Sequence, residues 1–237
     1  MRLNKYIAQS GLTSRRKADE LIENGNVKVN GQVVTELGID VQPDDTVEVN
    51  GNRISADQRM VYYMLNKPVG YVTTLSDEKD RPIVTDLLTD VNERVFPVGR
   101  LDYNTSGLLL MTNDGDLANK LMHPKHQVYK TYRAEVSGFL SDERLNKLRK
   151  GVDIGGFVTS PAKVKVVRQG KSHCTVEIQI CEGKYRQVRR MFKAVGSRVI
   201  ALQRVAEGEL YLGRLMEGHY RKLTPEEITY LKNIDKE

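Results

Sequence analysis

The chain has 237 residues, of which 39% are hydrophobic and 29% are charged, as expected for a globular protein with one large or two modest cores. No stretch approaches the roughly 18 apolar residues of a membrane span, and the N-terminus has no apolar run of signal-peptide length, so we expect a cytoplasmic protein without a membrane partner. The net charge of +6 favours a polyanion as partner.

The N-terminal part of the chain, about sixty residues, predicts a separate module of two helices followed by a small sheet. The first helix covers roughly Leu3–Gln9. The second begins after Thr13 or Ser14, either of which can cap it, and stops at Gly25. Two Asn-Gly pairs flanked by alternating apolar residues predict hairpins, and they lie at Asn30-Gly31 and Asn50-Gly51.

Basic residues are concentrated at the start of this module, whereas its acidic residues cluster around 40–48. Three cations stand in the first turn of the second helix, where the helix dipole disfavours positive charge. A phosphate partner explains that placement better than helix stability does, although the run could also be an ordinary exposed first turn. The predicted nucleic-acid-binding residues are Arg2, Lys5, Arg15, Arg16, Lys17 and Lys28.

A polar stretch at 54–59 predicts a linker, which divides the chain into domains 1–58 and 59–237. In the second domain, strands are expected near 61–68, 95–98, 108–112, 130–136, 162–168, 174–181 and 199–205. Helices are expected near 84–88, 116–122, 141–150 and 186–195, and after a cap at 224–227. Runs of strands interrupted by single helices predict an α+β domain on a mixed or antiparallel sheet. Neither GxGxxG nor GxxxxGK[ST] occurs, so no nucleotide cofactor is indicated.

A metal site is not predicted either. Cys174 and Cys181 lie in and at the end of one predicted strand, and the four histidines are scattered, so the spacing of a zinc site is absent. We expect two buried free thiols in a reducing compartment.

One acidic residue, Asp102, lies on the loop between the strands predicted at 95–98 and 108–112. The surrounding "LDYNTSG" is good turn chemistry, so this residue is either a turn-former or a catalyst. A side chain fixed at a strand end is where a scaffold carries a functional site, and a fixed, desolvated carboxylate can act as a nucleophile.

A basic helix is predicted in "RQVRRMFKAV". Between Cys181 and Arg204 the chain has seven Lys or Arg against one acid, which a neutral solvated face does not explain. At about 100° per residue the apolar residues form one stripe, and Arg189 lies at its border, where it could reach a buried anion and keep it ionised. Phosphates or solvent suit the cations on the opposite side, which are Arg186, Arg190 and Lys193.

Strand alternation in "KTYRAEV" places Tyr132, Ala134 and Val136 on one face of a strand. A tyrosine in that position is commonly part of the core. The alternative is a platform on which a flipped RNA base stacks.

The chain resembles the RsuA/RluB family of bacterial rRNA pseudouridine synthases over nearly its whole length, in the motifs "SRRKADELI…VKVNG", "GRLDYNTSGLLLMTNDG", "KTY" and "EGKYRQVRRMF". The segments "SRRKADELI" and "LANKLMHP" are similar to the large-subunit, RluB-like branch. The resemblance implies an N-terminal RNA-binding domain of the ribosomal protein S four type. It also implies a catalytic domain with an extended, largely antiparallel mixed sheet flanked by helices.

The same resemblance implies that a uridine of ribosomal RNA is isomerised to pseudouridine without metal or organic cofactor. The substrate would be a large-subunit (23S) precursor or assembly intermediate, and the protein a monomer. Asp102 matches the family's catalytic aspartate, Tyr132 the tyrosine that packs on the target base, and Arg189 the arginine that pairs with the aspartate. On this basis we interpret Asp102 as the catalyst and the turn around it as its mounting.

Further pocket residues follow from the same motifs. Leu202 resembles the apolar residue on the pocket floor, and Arg100 and Leu101 belong to "GRLD". The family's usual "EGRNRQ" is here "EGKYRQ", with Lys184 and Tyr185, and this exchange bears on contacts with RNA.

Three other functions compete with this interpretation. A non-catalytic rRNA-binding or assembly factor on the same fold shares the basic composition, but the complete Asp, Tyr and Arg set favours an enzyme. A helix-turn-helix DNA-binding protein would use the two N-terminal helices, and the hairpins directly after them count against it. A metal-dependent nuclease needs an acidic cluster with ligand spacing, which the sequence lacks.

Overall fold

The computed structural model describes residues 1–170 and 172–234, and within them the chain forms two compact units. The first comprises Met1–Val61, Asp90–Val95 and Asn113–Gly115, and the second comprises Tyr62–Thr89, Phe96–Thr112 and the chain from Asp116 onward. A single boundary between residues 58 and 59 therefore places residues 59–61 and the two later segments of the first unit in the second domain. In the described ranges no helix combines the length and the apolar character that a membrane span needs.

The first unit consists of two helices and a four-stranded antiparallel sheet, as its sequence predicts. The helices are α1 (Leu3–Gln9) and α2 (Arg15–Glu23). In the sheet order β2-β1-β3-β4, the strands are β1 (Val27–Val29), β2 (Gln32–Val34), β3 (Val47–Val49) and β4 (Asn52–Ile54). Ser14 caps α2 by accepting a hydrogen bond from the backbone N–H of Lys17 at 3.3 Å. Both Asn-Gly pairs make the hairpin turns, with φ between 51° and 79°.

Apolar residues at helical spacing pack α1 and α2 onto this sheet. Leu3 and Ile7 of α1 and Ala18 and Ile22 of α2 are buried in one cluster with the inner residues of the strands. Each fully buried leucine or isoleucine contributes roughly 1.5–3 kcal/mol, and a unit this small has few such residues to lose.

Residues from later in the chain complete the first unit. The side-chain amide of Asn113 accepts a hydrogen bond from the backbone N–H of Val61 (2.8 Å) and donates one to the carbonyl of Arg59 (3.0 Å). Arg94 donates to the carbonyl of Thr13 at 3.4 Å. The backbone at the end of the predicted linker is thus held by a side chain 52 positions away.

The second unit is an α+β domain on a nine-stranded mixed sheet, as predicted. Its main strand order is β13-β5-β7-β11-β8-β10-β9, with β6 beside β7 and β12 beside β11. β7 and β11 run parallel, and the other described neighbours pair antiparallel. The strands are β5 (Tyr62–Lys67), β6 (Phe96–Val98), β7 (Ser106–Thr112), β8 (Lys130–Ser137), β9 (Lys163–Gln169), β10 (His173–Ile180), β11 (Val199–Glu207), β12 (Leu210–Tyr211) and β13 (Tyr220–Lys222).

The connecting helices are α3 (Gly115–Met122), α4 (Asp142–Lys150), α5 (Gln187–Ala194) and α6 (Pro225–Asn233), with 3-10 turns at Val84–Leu87 and Pro124–His126. Two predictions need correction, because the helix expected near 84–88 is a 3-10 turn and the helix expected from Arg186 begins one residue later. β12 and β13 were not predicted, since two or three residues show no periodicity.

One hydrophobic cluster of the second unit lies between the sheet and helices α4 and α5. Ala134 of β8, Val176 of β10, Leu148 of α4 and Phe192 of α5 are all completely buried in one cluster. Tyr132 packs against the edge of this cluster, on the same strand face as Ala134. The alternation read from "KTYRAEV" is therefore confirmed.

A single glycine permits the parallel contact between β7 and β11. Gly107 has φ 111° and pairs with Arg204, and a Cβ atom built on Gly107 would lie 2.6 Å from the backbone nitrogen of Arg204. Since that neighbour is backbone, a side chain at position 107 would have to push the two strands apart.

We predict that Gly107→Ala lowers the free energy of unfolding by at least about 2 kcal/mol more than Gly138→Ala does. Gly138 is the matched control, because its φ is also positive (78°) but a Cβ there meets nothing within 4 Å. Urea denaturation followed by circular dichroism measures both variants. Equal losses would show that backbone strain, and not the approach of the two strands, requires the glycine.

Candidate active site

The second unit contains a cavity of about 90 Å³ that brings together most of the predicted site residues. Asp102, Tyr132, Arg189 and Leu202 all contribute to its wall. The other predicted residues that line it are Arg100, Leu101, Lys184 and Arg186, and the sequence did not predict Thr105, Ile180, Gly183, Gln187 and Val188. The predicted residues come from the loop before β7, from β8, from the start of α5 and from β11.

Asp102 sits on a turn whose hydrogen bond is made by the backbone. The N–H of Thr105 donates to the carbonyl of Asp102 at 3.0 Å, while the hydroxyl of Thr73 donates to the carbonyl of Leu101 at 2.8 Å. The Asp102 carboxylate instead forms an ion pair, with 3.8 Å between its Oδ2 and Nη1 of Arg186. The side chain of a turn-forming aspartate accepts hydrogen bonds from nearby backbone N–H groups. The Asp102 carboxylate contacts Arg186 and the backbone closes the turn, so the carboxylate is not needed to form the turn.

A buried lysine donates hydrogen bonds to the same turn, and the sequence did not lead us to predict this role. The side chain of Lys67 at the end of β5 is completely buried, and its Nζ donates to the carbonyls of Pro68 (2.9 Å), Asp102 (3.2 Å) and Thr105 (2.9 Å). Burial lowers its pKa from 10.5 to about 8, against the opposing charges of Asp102 and Glu217. The sequence showed only a lysine at the end of the predicted strand "YYMLNK". In the structure every residue of this strand is buried.

Arg186 lies before the first helical residue of α5, although the sequence pattern predicted it on the solvent-facing side of this helix. It is the N-cap residue of α5, with φ 49° in the left-handed region. Its guanidinium turns to the loop of Asp102, where it donates to Oδ1 of Asn104 at 3.2 Å in addition to the ion pair with Asp102. The expectation that Arg186 faces solvent on the helix is therefore wrong, because helical spacing does not apply before the first helical residue.

Arg189 reaches inward as predicted, but its partner differs from the one that the resemblance implied. Its Nη2 donates to the carbonyl of Asn104 at 2.7 Å, and its Nη1 donates to the carbonyl of Val199 at 3.4 Å. Its Nε is buried without a hydrogen-bond partner. Burial and the neighbouring Arg186 lower the pKa of Arg189, whereas Asp102 raises it. Arg189 thus holds the loop that carries Asp102, and Arg186 contacts the carboxylate.

The two remaining cations of α5 behave differently from each other. Lys193 is exposed, as predicted. Arg190 is only partly exposed, because its guanidinium donates to the carbonyls of Ile154 and Gly155 and, at 3.5 Å, to that of Tyr185. The expectation of a solvent-facing Arg190 is wrong, since these carbonyls take its donors. The apolar stripe of α5 is confirmed by the burial of Val188, Met191, Phe192 and Val195.

Tyr132 and two aliphatic residues form the apolar part of the cavity. Tyr132 lies on β8 opposite Arg204 of β11, and Leu202 and Ile180 are buried beside it. Burial raises the pKa of the Tyr132 hydroxyl, and Arg204 opposes the shift. The ring therefore offers a neutral aromatic surface at neutral pH.

A buried ion pair lies in the sheet next to Tyr132. Nη2 of Arg204 is 3.5 Å from Oε2 of Glu207, both side chains are almost completely buried, and Nε of Arg204 donates to the carbonyl of Leu108 at 2.7 Å. Lys130 adds a longer contact of 3.9 Å to Glu207. Arg204 is one of the seven basic residues between Cys181 and Arg204. Because it is buried, the number of basic residues in this segment is larger than the number at the surface.

The other predicted residues lie outside this cavity. The five cations Arg2, Arg15, Arg16, Lys17 and Lys28 are exposed on the first unit, and Lys5 is partly exposed. Both cysteines are free, but only Cys174 is buried, so the expectation of two buried thiols is wrong for Cys181. In the described ranges no group of three His, Cys, Asp or Glu residues has the geometry of a metal site.

The cavity thus combines a carboxylate on a fixed turn with an aromatic wall, an apolar floor and cations at its rim. A carboxylate of this kind can act as a nucleophile, and a ring with aliphatic neighbours can hold a planar base. The exposed Lys184 and Lys193 suit the phosphates of the chain that carries the base.

Comparison with known families and proteins places this geometry in context. A family model described as RNA pseudouridylate synthase matches residues 61–194, and a model described as S4 domain matches residues 1–47. The ribosomal large subunit pseudouridine synthase B of Bacillus subtilis (strain 168) is 48% identical over 235 residues, which cover 98% of this chain and 96% of that protein.

A second relative and a solved structure give the same result. An uncharacterized RNA pseudouridine synthase of Aquifex aeolicus (strain VF5) is 42% identical over 233 residues, covering 98% of this chain and 93% of the relative. A crystal structure of pseudouridylate synthase superposes with a TM-score of 0.70 at 31% identity, covering 98% of this chain and 99% of that one.

We predict a pH-dependent contribution of Lys67 to stability. Between about pH 8 and 10.5 the unfolded chain keeps the proton on Lys67 that the folded protein has lost, so the free energy of unfolding should rise with pH in this window. Urea titrations of the parent and of Lys67→Met at pH 7.5, 9 and 10.5 isolate the effect, because other titrating groups cancel. We expect the difference, parent minus variant, to grow by about 3 kcal/mol. A difference that stays constant would show that the pKa of Lys67 is not lowered in the folded protein.

Proposed function

Because the chain belongs to the RNA pseudouridylate synthase family, we propose that it isomerises a uridine of large-subunit ribosomal RNA and that Asp102 is the nucleophile. The family membership makes it an RNA-modifying isomerase. The choice of Asp102, and of the large subunit as target, is our proposal. The observation that carries it is the Asp102 carboxylate, mounted on a backbone-made turn and directed at Arg186 within the cavity that Tyr132 and Leu202 line.

The proposed reaction rearranges bonds within one nucleotide. The carboxylate of Asp102 attacks the nucleoside, the N1–C1′ bond breaks, and the base turns within the cavity. C5 then bonds to C1′, and the bond between the nucleoside and the Asp102 carboxylate breaks, which restores the free carboxylate. C5 loses its hydrogen as a proton, and N1 gains a proton. No atom is gained or lost overall, so the isomerisation requires neither an oxidant nor a second substrate.

Each lining residue has a role in this proposal. Tyr132 packs against the uracil ring, and Leu202 with Arg100 and Leu101 completes the pocket around it. Arg189 and Lys67 act on the carboxylate indirectly, through the carbonyls of the loop that carries it, so they are positioning residues.

The relatives support our proposal for the target of the protein. The Bacillus subtilis relative is named for the large ribosomal subunit, and 98% of this chain is aligned with it. We therefore infer a large-subunit rRNA precursor or assembly intermediate as substrate and a cytoplasmic location where ribosomes are assembled. We also propose that the enzyme is a monomer.

The exposed cations of the first unit are proposed to bind the rRNA backbone. Residues 1–58 would form the RNA-binding domain, with Arg2, Arg15, Arg16, Lys17 and Lys28 on its exposed surface. Deleting these residues would also remove the partners of Asp90–Val95 and Asn113–Gly115, so point substitutions test the role more cleanly than truncation does.

We predict that Asp102→Asn abolishes pseudouridine formation without loss of folding or rRNA binding. Asparagine keeps the shape and the turn but lacks the negative charge, so turnover should fall at least about 1,000-fold. The substrate is rRNA labelled with 5-tritiated uridine from a strain that lacks this protein, because C5 loses its tritium when the new bond forms. Asp80→Asn is the matched control, since Asp80 is an exposed turn residue with φ 49°.

The same assay separates the parts of the proposal. The parent should release tritium from large-subunit rRNA and not from small-subunit rRNA. Release by Asp102→Asn at a rate near that of the parent would make Asp102 a turn residue after all. Release from small-subunit rRNA alone would overturn the target and leave the chemistry intact.

We further predict that the cations divide into two groups. Lys193→Ala and Arg16→Ala remove exposed charges, so each should weaken rRNA binding and reduce the slope of log affinity against log salt by about 0.9. Arg186→Ala removes the partner of Asp102 and should mainly slow turnover of bound RNA, by about tenfold or more. Binding isotherms at several salt concentrations and single-turnover rates measure the two effects. Identical losses of affinity in all three variants, with unchanged turnover, would contradict this division.

A further inference from the structure

A second cavity, of about 350 Å³, lies beside the first in the same unit. The two cavities share Arg100, Leu101 and Asp102, so the loop that carries Asp102 forms the wall between them. The remaining residues of the second cavity are Val72, Thr73, Thr74, Ser76, Asp77 and Tyr103. The reaction proposed above uses a single nucleotide and leaves this space unassigned.

The far wall of the second cavity is held by internal contacts. Asp77 accepts hydrogen bonds from Nη2 of Arg81 at 2.7 Å and from Nε of Arg81 at 3.0 Å. The hydroxyl of Thr73 donates to the carbonyl of Leu101 and accepts from its N–H at 3.3 Å, which ties the far wall to the shared loop.

Tyr103 is the aromatic residue of this cavity, with a fixed backbone and a ring that is about half exposed. Its carbonyl accepts a hydrogen bond from the N–H of Gly70 at 2.8 Å. Its side chain is 51% exposed although it follows Asp102 directly. A rigidly mounted, half-exposed ring at the rim of a cavity is a surface on which a planar base can stack, whatever its identity.

We propose that the second cavity holds the nucleotide adjacent to the target uridine in the RNA chain and that its base stacks on Tyr103. The inference rests on the proposed function, because it takes the target sugar to lie at Asp102. One phosphodiester link joins neighbouring nucleotides, so a neighbour of that sugar lies within reach of the Asp102 loop. The second cavity begins on the other side of this loop. Stacking accepts every base, so the site binds a nucleotide without reading its sequence.

The experiment measures kcat/KM for every combination of four proteins and three RNAs. The probes are synthetic RNAs of about 25 nucleotides, labelled with tritium at C5 of the target uridine, whose position is first located by mapping pseudouridines in rRNA that the parent protein has modified. One RNA is intact, one is abasic at the 5′ neighbour, and one is abasic at the 3′ neighbour. The proteins are the parent, Tyr103→Ala, Tyr103→Phe and the control Tyr211→Ala, which removes a ring that is 66% exposed and lines neither cavity.

We expect Tyr103→Ala to lower kcat/KM on intact RNA at least about fivefold, and Tyr103→Phe to retain most of the parent value, because the ring provides the stacking surface. One of the two abasic RNAs should be poorer for the parent by a similar factor, and on that RNA Tyr103→Ala should cause no further loss. Tyr211→Ala should match the parent on every RNA.

Two results would overturn the subsite. A loss in Tyr103→Ala of the same size on all three RNAs would mean that the ring supports the loop rather than a base. Parent activity in Tyr103→Ala on intact RNA would mean that nothing stacks there. Absence of tritium release by the parent from any rRNA would refute the proposed function itself, and is thereby distinguishable from either result.

Discussion

The parallel contact between β7 and β11 is the constraint on which the catalytic unit depends. It joins the strands β13, β5, β6 and β7 to the strands β11, β12, β8, β10 and β9, and each group is antiparallel within itself. The cavity lies along this junction, with Asp102 before β7, Leu202 on β11 and Tyr132 on β8. Gly107 lets the two backbones approach at this point, so one missing side chain brings together residues that are far apart in sequence.

The charged residues near the junction of β7 and β11 have different functions, and these functions correspond to how deeply each side chain is buried. Lys67 and Arg189 direct their donors at backbone carbonyls and so determine where the loop of Asp102 lies. Arg186 lies at the rim and contacts the carboxylate itself. Arg204 and Glu207 form a buried pair in the sheet, where removing Glu207 would leave the Arg204 guanidinium buried without its carboxylate partner. A positive net charge in this protein is therefore only partly a property of its surface.

Local sequence signals predicted local structure well, and they failed where distant residues decide the outcome. The Asn-Gly hairpins, the cap at Ser14 and the alternation around Tyr132 all depend on a few neighbouring residues. Arg186 was misplaced because helical periodicity was applied to a residue that adopts a left-handed conformation before the helix begins. Lys67 was missed because its acceptors lie across the sheet, and a lysine in an apolar strand does not reveal them. The motifs of the site were recognised by resemblance, but which arginine contacts Asp102 required the coordinates.

The discontinuous first unit affects the order of events during protein synthesis. The helices and strands up to residue 54 can form as soon as they leave the ribosome, since their partners are all local. The side chain of Asn113, however, holds the backbone at Arg59 and Val61, so this closure cannot form until about half of the polypeptide has been made. The unit that is translated first is therefore completed only after β5 to β7 of the other unit have already been translated. If residues 1–61 were transferred alone to another protein, the hydrogen bonds between Asn113 and the backbone of Arg59 and Val61 would be lost.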